Sequence, residues 1–279
     1  MWPAHPRRGS HRRREEQRQA CNDHAVPDAP TRSRVPRTVA LHGFTQTGRS
    51  WHRLADAAAR AGDVVIAPDL PGHGDAAHER PVDLVEAAAF VAARVESSLG
   101  GRSARWIGYS LGGRVLLHLA LARPDLVSDL VLVSTTAGID DASERAERRR
   151  ADNALADRIE QIGTVAFVDE WMVQPLFASL PSDGDDVADR RRNDSIGLAS
   201  SLRTCGTGTQ EPLWSRLADL VMPTLIVTGD RDDKFTALGR RLAAAMNNAI
   251  HCELADAGHA CHLEQPEQLA SLVGWGPTA

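Results

Sequence analysis

From residue 37 onward, short apolar runs alternate with longer amphipathic or Ala/Leu-rich stretches. The runs at 37–41, 64–67, 105–109, 130–134, 224–228 and 250–254 are brief, rich in β-branched residues and bounded by Gly, Pro or polar residues, so they read as buried strands. The segments 51–61, 82–99, 115–121 and 236–246, and a last one from Pro266, read as helices. Strand and helix in repeated succession predict an α/β fold, a mostly parallel sheet with right-handed crossovers flanked by helices. The rhythm fails over 137–215, where 143–162, 165–172 and 185–202 read only as helices. An all-helical insertion between two strands predicts a lid over the strand ends. The expected organisation is therefore a core of 37–136 and 216–279, with a helical lid at 137–215. Residues 1–36 carry Arg7, Arg8, Arg12, Arg13, Arg14 and Arg18 among prolines, with no hydrophobic period. They read as a disordered basic extension or the product of a start codon placed too early, ahead of a basic arm for nucleic acid, and no apolar stretch follows the arginines to make a secretory signal.

The run ending at Tyr109 leads into Gly108-Tyr109-Ser110-Leu111-Gly112-Gly113-Arg114 and then a helical segment. Gly-x-Ser-x-Gly between a strand and a helix is a nucleophile elbow: the serine sits on a sharp turn whose flanking positions must be very small. Such a turn lifts the Ser110 hydroxyl clear of the sheet and points a helix N-terminus at the reacting centre. The first strand runs into His42-Gly43-Phe44, which would place the Phe44 N–H beside the serine. With the Leu111 N–H it would form a two-donor oxyanion hole. His42 is expected to brace that loop, and His73 in Pro68-Asp69-Leu70-Pro71-Gly72-His73-Gly74 to belong to loop architecture.

A serine needs an imidazole to take its proton, and the imidazole needs a carboxylate to fix its tautomer. The loops after the last two strands carry Gly229-Asp230-Arg231-Asp232-Asp233 and Gly258-His259-Ala260-Cys261-His262. The chain order Ser, Asp, His suits an elbow serine. Asp232, at the tip of its turn, is chosen over Asp230, expected to stabilise the loop, and Asp233, which could face solvent or cap the next helix. His259 is chosen over His262, assigned to helix entry or packing.

Composition narrows the class of partner. The 279 residues are 42% hydrophobic and 25% charged, enough for one α/β domain with a sizeable core. A net charge of −5 argues against nucleic acid, and no apolar run reaches the length of a membrane span. Cys21, Cys205, Cys252 and Cys261 form no CxxC pair or zinc spacing, so free thiols in a reducing, cytoplasmic setting are expected. No metal or organic cofactor is called for. Arg145, Arg148, Arg149 and Arg150 would individually pair with Glu144, Glu147 and Asp152 on a solvated helix face.

From His42 onward the chain resembles the α/β-hydrolase superfamily, and within it the 2-succinyl-6-hydroxy-2,4-cyclohexadiene-1-carboxylate (SHCHC) synthases of menaquinone biosynthesis. The resemblance rests on Leu-His-Gly-Phe at 41–44, Pro-Asp-Leu-Pro-Gly-His-Gly at 68–74 and Gly-Tyr-Ser-Leu-Gly-Gly-Arg at 108–114. Further matches are Glu-Arg-Arg-Arg-Ala-Asp at 147–152, Asp-Glu-Trp at 169–171, Pro-Leu-Phe-Ala-Ser at 175–179, Asp-Asp-Lys-Phe at 232–235 and Gly-His-Ala-Cys-His-Leu-Glu at 258–264. It implies an α/β-hydrolase fold with an inserted helical lid, and a lyase that removes a proton and eliminates pyruvate. Carried over, Ser110 activated by His259 and Asp232 would be the base, and the Phe44 and Leu111 amides would hold the oxyanion. Arg114, Arg148 and Arg190 would bind the carboxylates of a small polycarboxylate substrate, since a guanidinium fork binds carboxylates bidentately. Arg191 and Arg192 remain alternatives to Arg190. Tyr109 and Trp171 would line the pocket, and Lys234 would assist or pair with a neighbouring aspartate. The competing readings are a serine esterase or carbon–carbon bond hydrolase acting on an acidic substrate, and a non-catalytic binding protein.

Overall fold

The computed structural model describes residues 37–80, 82–180 and 184–276. The basic segment 1–36, with its expected disorder, lies outside them. In chain order the elements are β1 (Arg37–Leu41), α1 (His52–Arg60), β2 (Val64–Ile66), α2 (Leu84–Leu99), β3 (Ala104–Tyr109), α3 (Leu111–Ala122) and β4 (Val127–Val133). Then come α4 (Ala142–Met172), α5 (Asp185–Arg190), α6 (Ser195–Cys205), β5 (Thr224–Gly229), α7 (Asp233–Ala245), β6 (Ala249–Leu254), α8 (Cys261–Glu264) and α9 (Pro266–Leu272). The strands form one sheet in the order β2-β1-β3-β4-β5-β6, and every pairing is parallel.

Both faces of the sheet are buried, which explains why its strands read as continuous apolar runs rather than alternating ones. Val39, Leu41, Trp106, Leu130, Leu132 and Ile226 pack on one face against residues of α2 and α3. The intervening Ala40, Ile107, Val131, Val133 and Val227 pack on the other, against residues of α1 and α9. The period of two is thus intact, with hydrophobic residues in both registers. Because all strands run the same way, the loops after β1, β3, β5 and β6 leave from one edge, where open parallel sheets carry their sites.

The helices α4, α5 and α6 enter between β4 and β5. They build small cores of their own, one of Ala156, Ile159, Phe167, Leu198, Ala199 and Leu202, the other of Val168, Met172, Phe177 and Val187. Phe44, from the loop after β1, packs against the first of these and against the sheet's core. The predicted break between 162 and 165 is a kink at Gly163, whose φ of 75° and ψ of 166° only glycine adopts without strain. The Arg158–Glu170 ion pair spans it at 2.5 Å.

Three expectations are corrected. The elbow helix starts at Leu111 rather than 115, because Gly112 fits against the end of β1 and Gly113 against Thr135, where larger residues would not. The stretch 185–202 is two helices, and Asp194 starts the second by accepting the Gly197 N–H at 2.7 Å. Cys205 and Cys261 are free and buried, whereas Cys252 is disulfide-bonded. Among the described residues no helix is long and apolar enough to cross a membrane.

Candidate active site

Ser110 links β3 to α3 with φ 50° and ψ −107°, a conformation costly for any side-chain-bearing residue. The surroundings enforce it. Its N–H donates to the Val133 carbonyl at 2.9 Å, and its carbonyl accepts from the Arg114 N–H at 3.1 Å and Thr135 Oγ1 at 2.8 Å. A Cβ on Gly108 would lie 2.7 Å from the Gly112 carbonyl oxygen. One on Gly112 would lie 2.2 Å from the Leu41 carbonyl oxygen. Glycine at 112 therefore lets the start of α3, with the Leu111 N–H, sit directly against the end of β1 and the loop that carries Phe44.

That loop is held at several points. The His42 Nδ1 bonds the Gly43 carbonyl at 2.8 Å, and its Nε2 accepts the Leu70 N–H at 2.9 Å. The second bond requires a lone pair on Nε2, so the ring is neutral with its proton on Nδ1. Burial accordingly lowers its pKa to about 4. His42 braces the loop as expected, and His73 bonds the Pro71 carbonyl within its own loop.

Asp232 and His259 meet across the loops after β5 and β6. His259 Nδ1 donates to Asp232 Oδ2 at 2.8 Å. The other oxygen of Asp232 accepts the Phe235 N–H at 3.1 Å, so the same carboxylate caps α7. Glycines set the approach: a Cβ on Gly229 would fall 2.2 Å from the Gly258 carbonyl oxygen. Asp230 accepts the Ala257 N–H at 3.3 Å, a loop contact as expected, while Asp233 is exposed in the first turn of α7. His259 is buried against Phe235, Tyr109 and Phe177, with ring centroids 4.3, 5.4 and 6.4 Å away. Ser110 Oγ and His259 are not hydrogen-bonded to each other among the described residues.

The arginines separate by environment. Arg114 is buried on α3, and its Nη1 donates to the Cys205 carbonyl at 2.6 Å and to Gln210 Oε1 at 3.5 Å. Among the described residues no carboxylate stands within ion-pair distance of it. Burial pushes its pKa down to about 10, and the nearby Arg148 charge adds to the effect. Arg148 donates from Nε to Asp152 Oδ1 at 2.7 Å and stays partly exposed. Arg190 is buried: Nε donates to Asp186 at 2.7 Å, and Nη1 donates to Thr45 Oγ1 at 2.5 Å and the Phe44 carbonyl at 3.4 Å. Its Nη2 is buried without a partner among the described residues. Arg191 and Arg192 lie exposed with Asp169 and Asp189 as partners, so only Arg190 of the three reaches the loop after β1.

Tyr109 is buried between His259 and His262. Trp171 joins Phe44, Phe167 and Phe177 in an aromatic cluster, its buried Nε1 unpartnered among the described residues. Lys234 is exposed, with Nζ 5.8 Å from the Phe235 ring centroid. In that motif the phenylalanine, not the lysine, packs on the imidazole. The sequence reading also missed Phe177, Thr45 and Gln210. Phe177 and Phe235 lay in motifs already singled out, but Gln210 carried no pattern to mark it.

The geometry therefore combines an elbow serine, a carboxylate-oriented imidazole, an aromatic wall and two separate buried guanidinium groups with spare hydrogen-bonding capacity. The alpha/beta hydrolase family profile matches residues 38–272. A Bacillus subtilis (strain 168) protein provisionally named 2-succinyl-6-hydroxy-2,4-cyclohexadiene-1-carboxylate synthase is 36% identical over 84% of this chain and 88% of its own. The Escherichia coli O1:K1 / APEC protein of that name is 32% identical over 86% and 93%. The solved structure of MenH from S. aureus superimposes with a TM-score of 0.80 at 28% identity, covering 88% of this chain and 96% of that one.

Proposed function

The chain belongs to the alpha/beta hydrolase family, and on that premise we propose that it is an SHCHC synthase: a lyase that eliminates pyruvate from 2-succinyl-5-enolpyruvyl-6-hydroxy-3-cyclohexene-1-carboxylate. The observation that carries the reading is Arg114, a buried guanidinium with no carboxylate partner among the described residues, four residues past the elbow serine. Burying an uncompensated charge is costly, so an anionic substrate is the natural counterion.

The substrate's locants dictate the chemistry. Carbon 2 bears the succinyl ketone, the double bond lies at carbon 3, and the enolpyruvyl ether is at carbon 5; the product is the 2,4-diene. The proton on carbon 2 must therefore leave, the double bond must shift, and the carbon 5–oxygen bond must break. Ser110 Oγ takes the carbon 2 proton as its own passes to His259, whose imidazolium Asp232 stabilises through Nδ1. The ketone oxygen gains negative charge as that proton leaves, and the Phe44 and Leu111 N–H groups are the donors for it. The leaving enolpyruvate collapses to pyruvate with a proton returned from His259. The three carboxylates of the substrate are matched to Arg114, Arg148 and the free Nη2 of Arg190, with Tyr109 and Trp171 against the ring.

The test is to follow pyruvate release and SHCHC absorbance on substrate made fresh by the preceding enzyme, against a no-enzyme control for spontaneous elimination. Turnover that vanishes in Ser110→Ala and drops in Arg114→Ala supports the lyase. No acceleration over the control, with brisk hydrolysis of p-nitrophenyl acetate, would instead make the chain a serine esterase, for which the same Asp232–His259 pair would serve.

A further inference from the structure

His262 is a buried imidazole that the proposed chemistry does not use. It lies 4.1 Å from the Tyr109 ring centroid and 4.7 Å from that of Trp51. Its Nε2 is 3.3 Å from Gln46 Nε2, and its Nδ1 is buried without a partner. Gln46 in turn accepts the Gly43 N–H on Oε1 at 3.0 Å, while its own N–H donates back to the Gly43 carbonyl at 3.2 Å. These two bonds close the turn that presents Phe44.

The donor logic leaves one arrangement. A backbone N–H can only donate, so the atom of Gln46 facing Gly43 must be its carbonyl oxygen. The amide nitrogen must then face His262, and it too can only donate. The His262 Nε2 must therefore offer a lone pair, which places the ring proton on Nδ1 and excludes the imidazolium. Nothing around Nδ1 favours that tautomer, since it finds no acceptor among the described residues. The demand comes from the loop. Packing acts in the same direction: a Cβ on Gly43 would meet Tyr109 Cε1 at 2.5 Å, so the loop rests on the ring that His262 stacks against.

We propose that His262 is a positioning residue: held as the neutral Nδ1–H tautomer, it fixes the Gln46 amide, which fixes the loop that presents the Phe44 N–H to the developing oxyanion. The functional half rests on the reading of that N–H as an oxyanion donor; the tautomer does not. A ring between Tyr109 and Trp51 could serve packing alone, and the experiment separates the two roles.

Histidine-selective 15N labelling of the full chain, with the His262 signals assigned by their loss in His262→Gln, reads the tautomer directly. The expected spectrum at neutral pH has a protonated Nδ1 and a bare Nε2; a protonated Nε2 overturns the proposal whatever the enzyme's activity. For function, His262→Phe keeps a stacked ring and removes the acceptor, whereas His262→Gln places an amide oxygen near the Nε2 position. The Phe variant should lose about tenfold or more in kcat with KM little changed, as expected when a transition-state donor is misplaced. The Gln variant should recover most of the loss. Equal loss in both variants, or loss in neither, overturns the positioning role. Failure of the chain to release pyruvate at all would count against the lyase reading and leave the tautomer result standing.

Discussion

Replacing Arg114 with Met separates a substrate-binding charge from a structural one, because the two roles predict opposite effects on stability. Burial lowers the Arg114 pKa from the ordinary guanidinium range to about 10. At about 1.36 kcal/mol per pH unit, the charged side chain then costs the folded state about 3 kcal/mol at neutral pH. The sign follows from linkage: the folded pKa lies below the unfolded one, so the full cost is present below about pH 10 and fades as pH rises from there towards the ordinary guanidinium pKa. Met keeps most of the volume and removes the charge. Against the gain stand the freed Cys205 carbonyl and Gln210 amide, worth about 1–3 kcal/mol together. The net expected from urea unfolding is about 0 to 2 kcal/mol of stabilisation. Function should move the other way. A carboxylate about 4 Å from the guanidinium at an effective dielectric of about 20 gains about 4 kcal/mol; losing most of that costs roughly 30- to 1000-fold in kcat/KM. A distant carboxylate keeps its charge through the reaction, so the loss should appear mainly in KM. A variant that loses more than about 2 kcal/mol of stability, or one with kcat reduced and KM unchanged, would refute the assignment of Arg114 as a counterion held open for substrate.

Ser110→Ala should lower kcat/KM at least about a hundredfold, chiefly through kcat, with unfolding unchanged within about 0.5 kcal/mol; stopped-time pyruvate assays and urea titration read both. Asp232→Asn preserves the carbonyl that caps α7 but offers His259 the wrong partner, so kcat should fall about 10²- to 10⁴-fold at nearly unchanged stability, whereas Asp232→Ala should also lose about 1 kcal/mol from the cap. Gly112→Ala would press a methyl group 2.2 Å from the Leu41 carbonyl oxygen; calorimetry should show destabilisation of about 3 kcal/mol or more, or no folded protein. Gly163→Ala has open space around it but must hold φ 75° and ψ 166°, so it should cost about 1–3 kcal/mol, read as early proteolysis within α4.

The sheet was legible because each strand's apolar run is set by burial on both faces, a local property. Trp106 and Ile107 go to opposite sides, yet both must be hydrophobic, and the run declares itself. The elbow was legible for a similar reason. Gly108 and Gly112 are demanded by contacts within a few residues of Ser110, apart from the approach to β1. Element ends were less clear where tertiary contact overrode propensity. Two glycines hid the first turn of α3, and the polar Ser128 and Asp129 hid the start of β4 at Val127.

The side chains of the site obey a different rule. Three consecutive arginines, 190–192, are indistinguishable in sequence, and what separates them is which one falls between Asp186, Thr45 and the Phe177 ring. The acid at 232 could be inferred from its place at the tip of a turn. Its double duty, one oxygen on His259 and one capping α7, depends on the crossing of two loops far apart in the chain. The same holds for Gln46 and His262, which touch across 216 positions. Local sequence therefore encodes the parts that carry strain or burial, while charge placement and tautomer are decided by non-local partners that no spacing pattern records. A substitution at Gly112 should consequently report on the fold, and one at Arg114 or His262 on the chemistry, although all three lie within the same edge of one sheet.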